Sequence, residues 1–312
     1  MNLGLLAGVC LLGCFAGSQN VSNEKEADFM SKMHQLGYSD QEINAFSAEK
    51  KQKFEKFDII YSQSMESVMG AGESIEQIGE RESKIDTQSM TDETASSNNS
   101  RTMKTILSYL KTGEGDYRFL LKTDVKWDSV PKYRISDIIG YRYDDVFALT
   151  KANGFPEIET HQRYHYHFSH YIKSSTGKAT KNVDDKDFDI KHTGSDNGFY
   201  DIELQKHQVS FEFALPEDYH HSFHHRGNRN DETKEYTDFS YTVECFFTNT
   251  QTVFKTGGFQ SVFLHKITKK EFDLGKLSFT YKAPFISYEP GGIIEKEDFD
   301  EGLSNYLIGN AY

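Results

Sequence analysis

The chain has 312 residues, with 48 acidic side chains against 35 basic ones and a formal net charge of −13. That balance repels polyanions on average and argues against a nucleic-acid partner. Aromatic residues make up 14% of the chain and proline only five positions, which favours strands over disorder, and the length suffices for one large all-β unit or two ordinary domains.

Residues 1–18 read as a signal peptide, because Leu3 to Leu12 is an apolar run of export-signal length and too short to span a bilayer. Two processing routes stay open. Leu11-Leu12-Gly13-Cys14 is similar to a bacterial lipobox, which would make Cys14 a lipidation site and the N-terminal lipid the only membrane attachment. Ala16-Gly17-Ser18 offers ordinary cleavage instead. The expected location is therefore extracellular or at the cell surface.

Residues 19–61 read as a helical arm. Phe29, Met33 and Leu36 recur at helical spacing, Gly37 stops that helix, and Ser39-Asp40-Gln41-Glu42 is a capping box opening a second one. An acidic, Ser-rich linker follows over 62–101. From Asn20 to Ser100 there are 16 acidic and eight basic residues, so this part carries more than half of the net charge.

A β domain is expected over 102–294: an antiparallel β-sandwich of about eight strands, or alternatively a barrel. Its clearest stretch is Asp116 to Tyr143. Tyr117, Phe119, Leu121, Thr123, Val125 and Trp127 alternate on one side of a strand, the bend Asp128-Ser129-Val130-Pro131 follows, and a second strand runs through Ile135 to Tyr141. Trp127, the only tryptophan, is a core anchor, and Arg134 with Asp137 is expected to brace the bend as an ion pair. Further strands are read at 163–172, 199–204, 207–215, 239–254, 259–268 and 277–288, with Cys245 buried in its strand and an acidic tail over 295–312.

Two parts of the chain carry a family resemblance. Leu36-Gly37-Tyr38-Ser39-Asp40-Gln41-Glu42-Ile43, and the pattern Trp127, Pro131, Tyr133, Arg134, Asp137, resemble the arm and opening β region of a group of uncharacterised exported proteins of Gram-positive bacteria. Phe263-Leu264-His265 and the stretch Leu277 to Tyr288 are similar to their closing strands. The resemblance implies export and this domain order. It implies no activity.

Ten of the twelve histidines lie between His161 and His225. Strand periodicity puts His161, Arg163, His165 and His167 on one face, and His220-His221-Ser222-Phe223-His224-His225 is expected in a loop. Two imidazoles in a His-x-His pair can share a divalent transition metal, so His161, His165, His167, His221, His224 and His225 are the candidate ligands. Asp185, Asp187 and Asp189 alternate as in a calcium loop, but Ile190 stands where that loop requires glycine. Serine-hydrolase and phosphate-loop motifs are absent, so no catalytic residue is assigned. Three functions follow: a binding module for a cell-surface or extracellular ligand, a metal-dependent hydrolase on the histidines, or a membrane-active β protein built on the amphipathic stretch 239–254.

Overall fold

A computed structural model describes residues 24–69, 100–113, 117–152, 154–193, 202–205, 207–250, 256–267, 277–282, 285–290 and 299–309. The expected signal segment, Cys14 and most of the expected linker lie outside the described residues. The chain divides into two compact units, Met1–Ser62 with Ser108–Tyr117, and Gln63–Leu107 with Arg118–Tyr312.

The helices of the first unit are set by their ends. Helix α1 (residues 24–35) closes in a Schellman arrangement: Gly37 sits at φ 83, its N–H donates to the carbonyl of His34, and the N–H of Tyr38 donates to the carbonyl of Met33. Helix α2 (Asp40–Asn44) opens on a reciprocal capping box between Ser39 and Glu42. The single second helix expected from sequence is broken, because Ser47 accepts from the N–H of Lys50 and starts a separate helix α3 (Ala48–Glu55). Tyr38, Phe46 and Phe54 cluster at ring separations of 4.9 to 5.9 Å, with the Lys50 ammonium 4.6 Å above the Phe46 ring.

Strands account for nearly all the rest. In chain order they are β1 (Phe57–Met69), β2 (Arg101–Thr112), β3 (Tyr117–Trp127), β4 (Ser136–Tyr143), β5 (Phe147–Leu149), β6 (Lys151–Ala152), β7 (Phe155–Pro156), β8 (Ile158–Lys173) and β9 (Ala179–Thr193). They continue with β10 (Ile202–Gln205), β11 (Gln208–Ala214), β12 (Tyr219–His225), β13 (Asn228–Asn249), β14 (Gly257–Lys266), β15 (Leu277–Lys282), β16 (Phe285–Pro290) and β17 (Phe299–Gly309). One sheet has the order β1-β2-β3-β13-β8-β9, with β5 and β12 also paired to β13, and a second has the order β10-β11-β4-β14-β17. The fold is mainly β, an antiparallel sandwich with a short helical N-terminal region.

The stretch Asp116 to Tyr143 makes the corner between the sheets, β3 lying in the first and β4 in the second. Between them, alternate residues of facing strands interdigitate: Phe119 and Phe247 of one sheet pack on Phe259 of the other, and the Tyr141 hydroxyl donates to the carbonyl of Val243 at 3.0 Å. Cys245 is buried here as a free thiol. A polar belt crosses the same core, where Asn305 donates to the carbonyls of Met65 and Met103 and Thr105 hydrogen-bonds Ser261.

Trp127 closes the core at one end. Its indole N–H donates to Asp137 Oδ2 at 2.9 Å, His265 Nδ1 lies 2.7 Å from Asp137 Oδ1, and the Arg101 guanidinium stacks 5.0 Å from the Trp127 ring. Asp137 is thus held by Trp127 and His265 and not by Arg134, which reaches Asp218 instead. The cause is strand alternation: Asp137 faces inward beside its register partner His265 on β14.

The final strand also differs from expectation. Residues 299–309 form β17 and pair along β14, with Leu303 and Leu307 buried, so hydrophobic alternation continues into a stretch whose acidic start suggested a tail.

Candidate binding surface

Strand β13 has two environments. From Phe239 to Phe247 it is a central sandwich strand buried on both faces, except for half-buried Ser240. From Asn228 to Asp238 almost none of its residues is buried. A bulge separates the halves, with the register shifting between Thr237 and Ser240 and Asp238 at φ 58. Beyond the bulge, β12, β13, β8 and β9 continue as a four-stranded sheet whose two faces stay accessible to solvent: β9 is exposed from Ala179 to Asp189 and β12 everywhere but Phe223.

Two tight turns build this sheet. Arg226 and Gly227 join β12 to β13 with φ values of 51 and 79, the two-residue hairpin whose twist matches the strands. Ser174 to Lys178 joins β8 to β9 through Gly177 at φ 83, and the N–H of Ser175 donates to Asn228 Oδ1 at 3.1 Å, so both turns share one end of the sheet.

One face is aromatic. Tyr164 stacks on Phe188 at 5.1 Å and meets Tyr236 edge-on at 5.4 Å, and the Lys234 ammonium sits 4.0 Å above the Tyr166 ring. On β12, Tyr219, His221 and Phe223 form a ring row at 6.0 and 5.3 Å. Phe188 and Tyr219 keep 42% and 44% of their surface in solvent, and Lys186 pairs with Asp184 at 2.7 Å among the rings, so this face is an exposed surface of aromatic and charged groups and not core.

The opposite face is a ladder of ion pairs between register partners of β8 and β9. Arg163 Nε lies 3.2 Å from Asp189, His165 Nδ1 3.0 Å from Asp187, and His167 Nδ1 2.6 Å from Asp185. His161 holds two carboxylates, Asp189 at 3.0 Å and Glu159 at 2.9 Å. Burial opposes its protonation, but hydrogen bonds to these carboxylates outweigh burial and push its pKa above the ordinary histidine value. For His165 the hydrogen bond to Asp187 is the largest cause and acts in the same direction.

The candidate metal ligands do not converge. His220 to His225 form strand β12 and not a loop. Its alternation, carried through β13, puts His221 and His225 on the aromatic face, opposite His161, His165 and His167. His224 shares their face, but it lies beside Arg229, whose β8 partner is Lys173, six residues from His167 and so about 20 Å along the strand. Among the described residues no group of three or more His, Cys, Asp or Glu is placed to hold a metal ion. The aspartates that alternate as in a calcium loop are the carboxylate side of the ladder. Sequence reasoning missed β9 and β12 as strands because neither alternates apolar with polar residues over its length.

No protein-family model matches this chain, and no curated protein does. Among solved structures the chain is similar to the delta-toxin of Clostridium perfringens, at 8% identity over 81% of this chain and 93% of that one, with a TM-score of 0.24. It is also similar to the NetB toxin of Clostridium perfringens in its membrane-inserted form, at 5% identity over 80% and 94% of the two chains, with a TM-score of 0.23. Fold and surface together define the class: an antiparallel β-sandwich protein extended by an uncovered sheet, with the rings gathered on one face and the ladder of basic and acidic partners on the other.

Proposed function

We propose that the protein is an exported or cell-surface binding module, and that its ligand-facing element is the β12-β13-β8-β9 sheet. The observation that carries this reading is the aromatic face: rings from four neighbouring strands, with Phe188 and Tyr219 each more than two-fifths exposed, form the kind of solvent-facing aromatic cluster that marks interaction sites. A rigid sheet places those rings at low conformational cost, which suits recognition. The test is retention of labelled protein on isolated cell envelopes. The double variant Phe188→Ser with Tyr219→Ser removes exposed rings only, so its melting temperature should match the wild type while retention falls about tenfold, and unchanged retention would remove the reading.

A second reading, a membrane-active β protein, moves from the stretch 239–254 to the β8-β9 hairpin. The 239–247 part is a buried sandwich strand, whereas β8 is long enough for a bilayer crossing and alternates Tyr164, Tyr166 and Phe168 with His165 and His167. Release of dye from liposomes at pH 5 and pH 7 tests it, and intact liposomes at both values count against it.

A further inference from the structure

The free end of the same sheet carries a charge opposite to that of the chain. Residues 169–182 and 220–233 hold five Lys or Arg and five His against two carboxylates, Asp231 and Glu232, within a protein of formal charge −13. Register puts three of these groups side by side on the face that bears the ion-pair ladder: His224 opposite Arg229, and Arg229 opposite Lys173. In the next row, Tyr171 lies between Asp231 and Lys181, and Asp231 takes the Arg229 Nε at 3.0 Å. Lys173, Lys181, His224 and Arg229 are all exposed, and 38% of the Tyr171 surface is open. Like charges on directly opposed strand positions cost stability. Five rows further in, the ladder shows that these strands also place a carboxylate opposite a cation, as at Arg163 and Asp189.

We propose that this end of the sheet is a binding site for an anionic polysaccharide, a sugar chain carrying sulfate or carboxylate groups. The inference rests on the reading of the sheet as the ligand-facing element. Charge complementarity selects a polyanion, because the cations cluster on an otherwise acidic molecule and span neighbouring strands about 5 Å apart. The surface selects among polyanions. The turns Ser174 to Lys178 and Arg226-Gly227 carry no apolar side chain, so nothing at the extreme end enters a bilayer. A nucleic-acid strand uses successive aromatic platforms, and the last three rows of this face offer Tyr171 with no Phe, Tyr or Trp beside it. A sugar chain needs one ring to stack on and a flat row of cations, and both are present.

Heparin is the probe, with dextran as the neutral polymer, phosphatidylglycerol vesicles as the lipid surface and oligo-dT as the nucleic acid. The full chain should bind heparin at about 50 mM salt, lose it progressively as salt rises, and ignore dextran. The triple variant Lys173→Ser, Lys181→Ser, Arg229→Ser should bind at least tenfold more weakly with a melting temperature no lower than that of the wild type, since it also relieves the repulsion between Arg229 and Lys173. Equal heparin binding by wild type and triple variant overturns the proposal, as does preference for vesicles or oligo-dT over heparin. Loss of heparin binding only through Phe188→Ser with Tyr219→Ser also overturns it, moving the site to the aromatic face. The two readings fail separately: absent heparin binding with envelope retention still sensitive to that aromatic pair removes the polysaccharide site alone, whereas retention insensitive to both variants removes the sheet as the binding element.

Discussion

Replacing Asp137 tests whether the sandwich is closed by a polar contact at its end. Asp137, His265 and Trp127 are at most 2% exposed, and one carboxylate serves both the indole N–H and the imidazole Nδ1. Asp137→Ala strands both partners in a site without water access. Each buried donor left unpaired costs about 1–3 kcal/mol, and removing one member of a buried hydrogen-bonded pair typically costs about 3–5 kcal/mol. At roughly 2–4 °C per kcal/mol for a unit of this size, the melting temperature should fall by roughly 6–20 °C. Asp137→Asn keeps an oxygen for the indole and an amide to face the other imidazole tautomer, so its loss should be smaller, about 1–2 kcal/mol. The assay is urea denaturation followed by far-UV circular dichroism and by the emission of Trp127, the sole tryptophan. The reasoning is refuted if Asp137→Ala lies within about 1 kcal/mol of the wild type, since a buried donor pair cannot lose its acceptor so cheaply.

Other outcomes follow from the same contacts. Cys245 is fully buried and burial pushes its thiol well above the ordinary value, so a thiol reagent at pH 8 should leave Cys245 unlabelled in the native protein and reach it only after unfolding, as mass spectrometry of the peptide that contains it would show. Ser39→Ala removes the cap of α2 and should cost about 1 kcal/mol, seen as faster hydrogen exchange over residues 40–44. The histidine ladder gives a pH dependence whose sign is set by its raised pKa values. Because the folded His161 and His165 hold protons more tightly than in the unfolded chain, their stabilisation is complete below about pH 6.5 and is lost as pH rises through the folded values. Burial pushes Asp189 up, but the hydrogen bonds and positive charges of His161 and Arg163 together outweigh it and shift Asp189 down, so its share is lost at the acid end instead. Amide exchange in the β8-β9 hairpin, corrected for intrinsic rate, should therefore be slower at pH 6 than at pH 8. In Asp187→Asn the difference should shrink, and an unchanged difference would detach it from the ladder.

What could be read from sequence divides along burial. The corner from Asp116 to Tyr143, strand β11 and the sandwich half of β13 announce themselves because one face of each meets the core, which forces apolar residues to every second position. The same logic located Cys245 and Trp127. It misplaced the partner of Asp137, since alternation says which face a carboxylate occupies and not which residue of a distant strand will sit beside it: Asp137 and His265 are 128 residues apart. The caps of the first unit were legible for a local reason, that a capping box is complete within four residues, yet the break at Ser47 was not, because serine caps a helix or rides along its side with little change in sequence.

The uncovered sheet is the instructive failure, because hydropathy is silent about strands that bury neither face. Its signal is complementarity. The residues Arg163, His165 and His167 and the residues Asp189, Asp187 and Asp185 stand at equal distances on either side of Thr176, next to the one glycine of the turn. A basic alternation and an acidic alternation related by reflection through a turn are what an antiparallel hairpin with paired charges requires. The two motifs were visible separately, one as metal ligands and one as a failed calcium loop, because each was matched to a cation and neither to the other. Three aspartates at alternate positions pair with three basic groups at alternate positions, and among the described residues no three such groups are placed to hold one metal ion. That pairing removes the reason to expect a metal, and the exposed rings of one face and the cations at the free end are then the groups that the proposed ligands would meet.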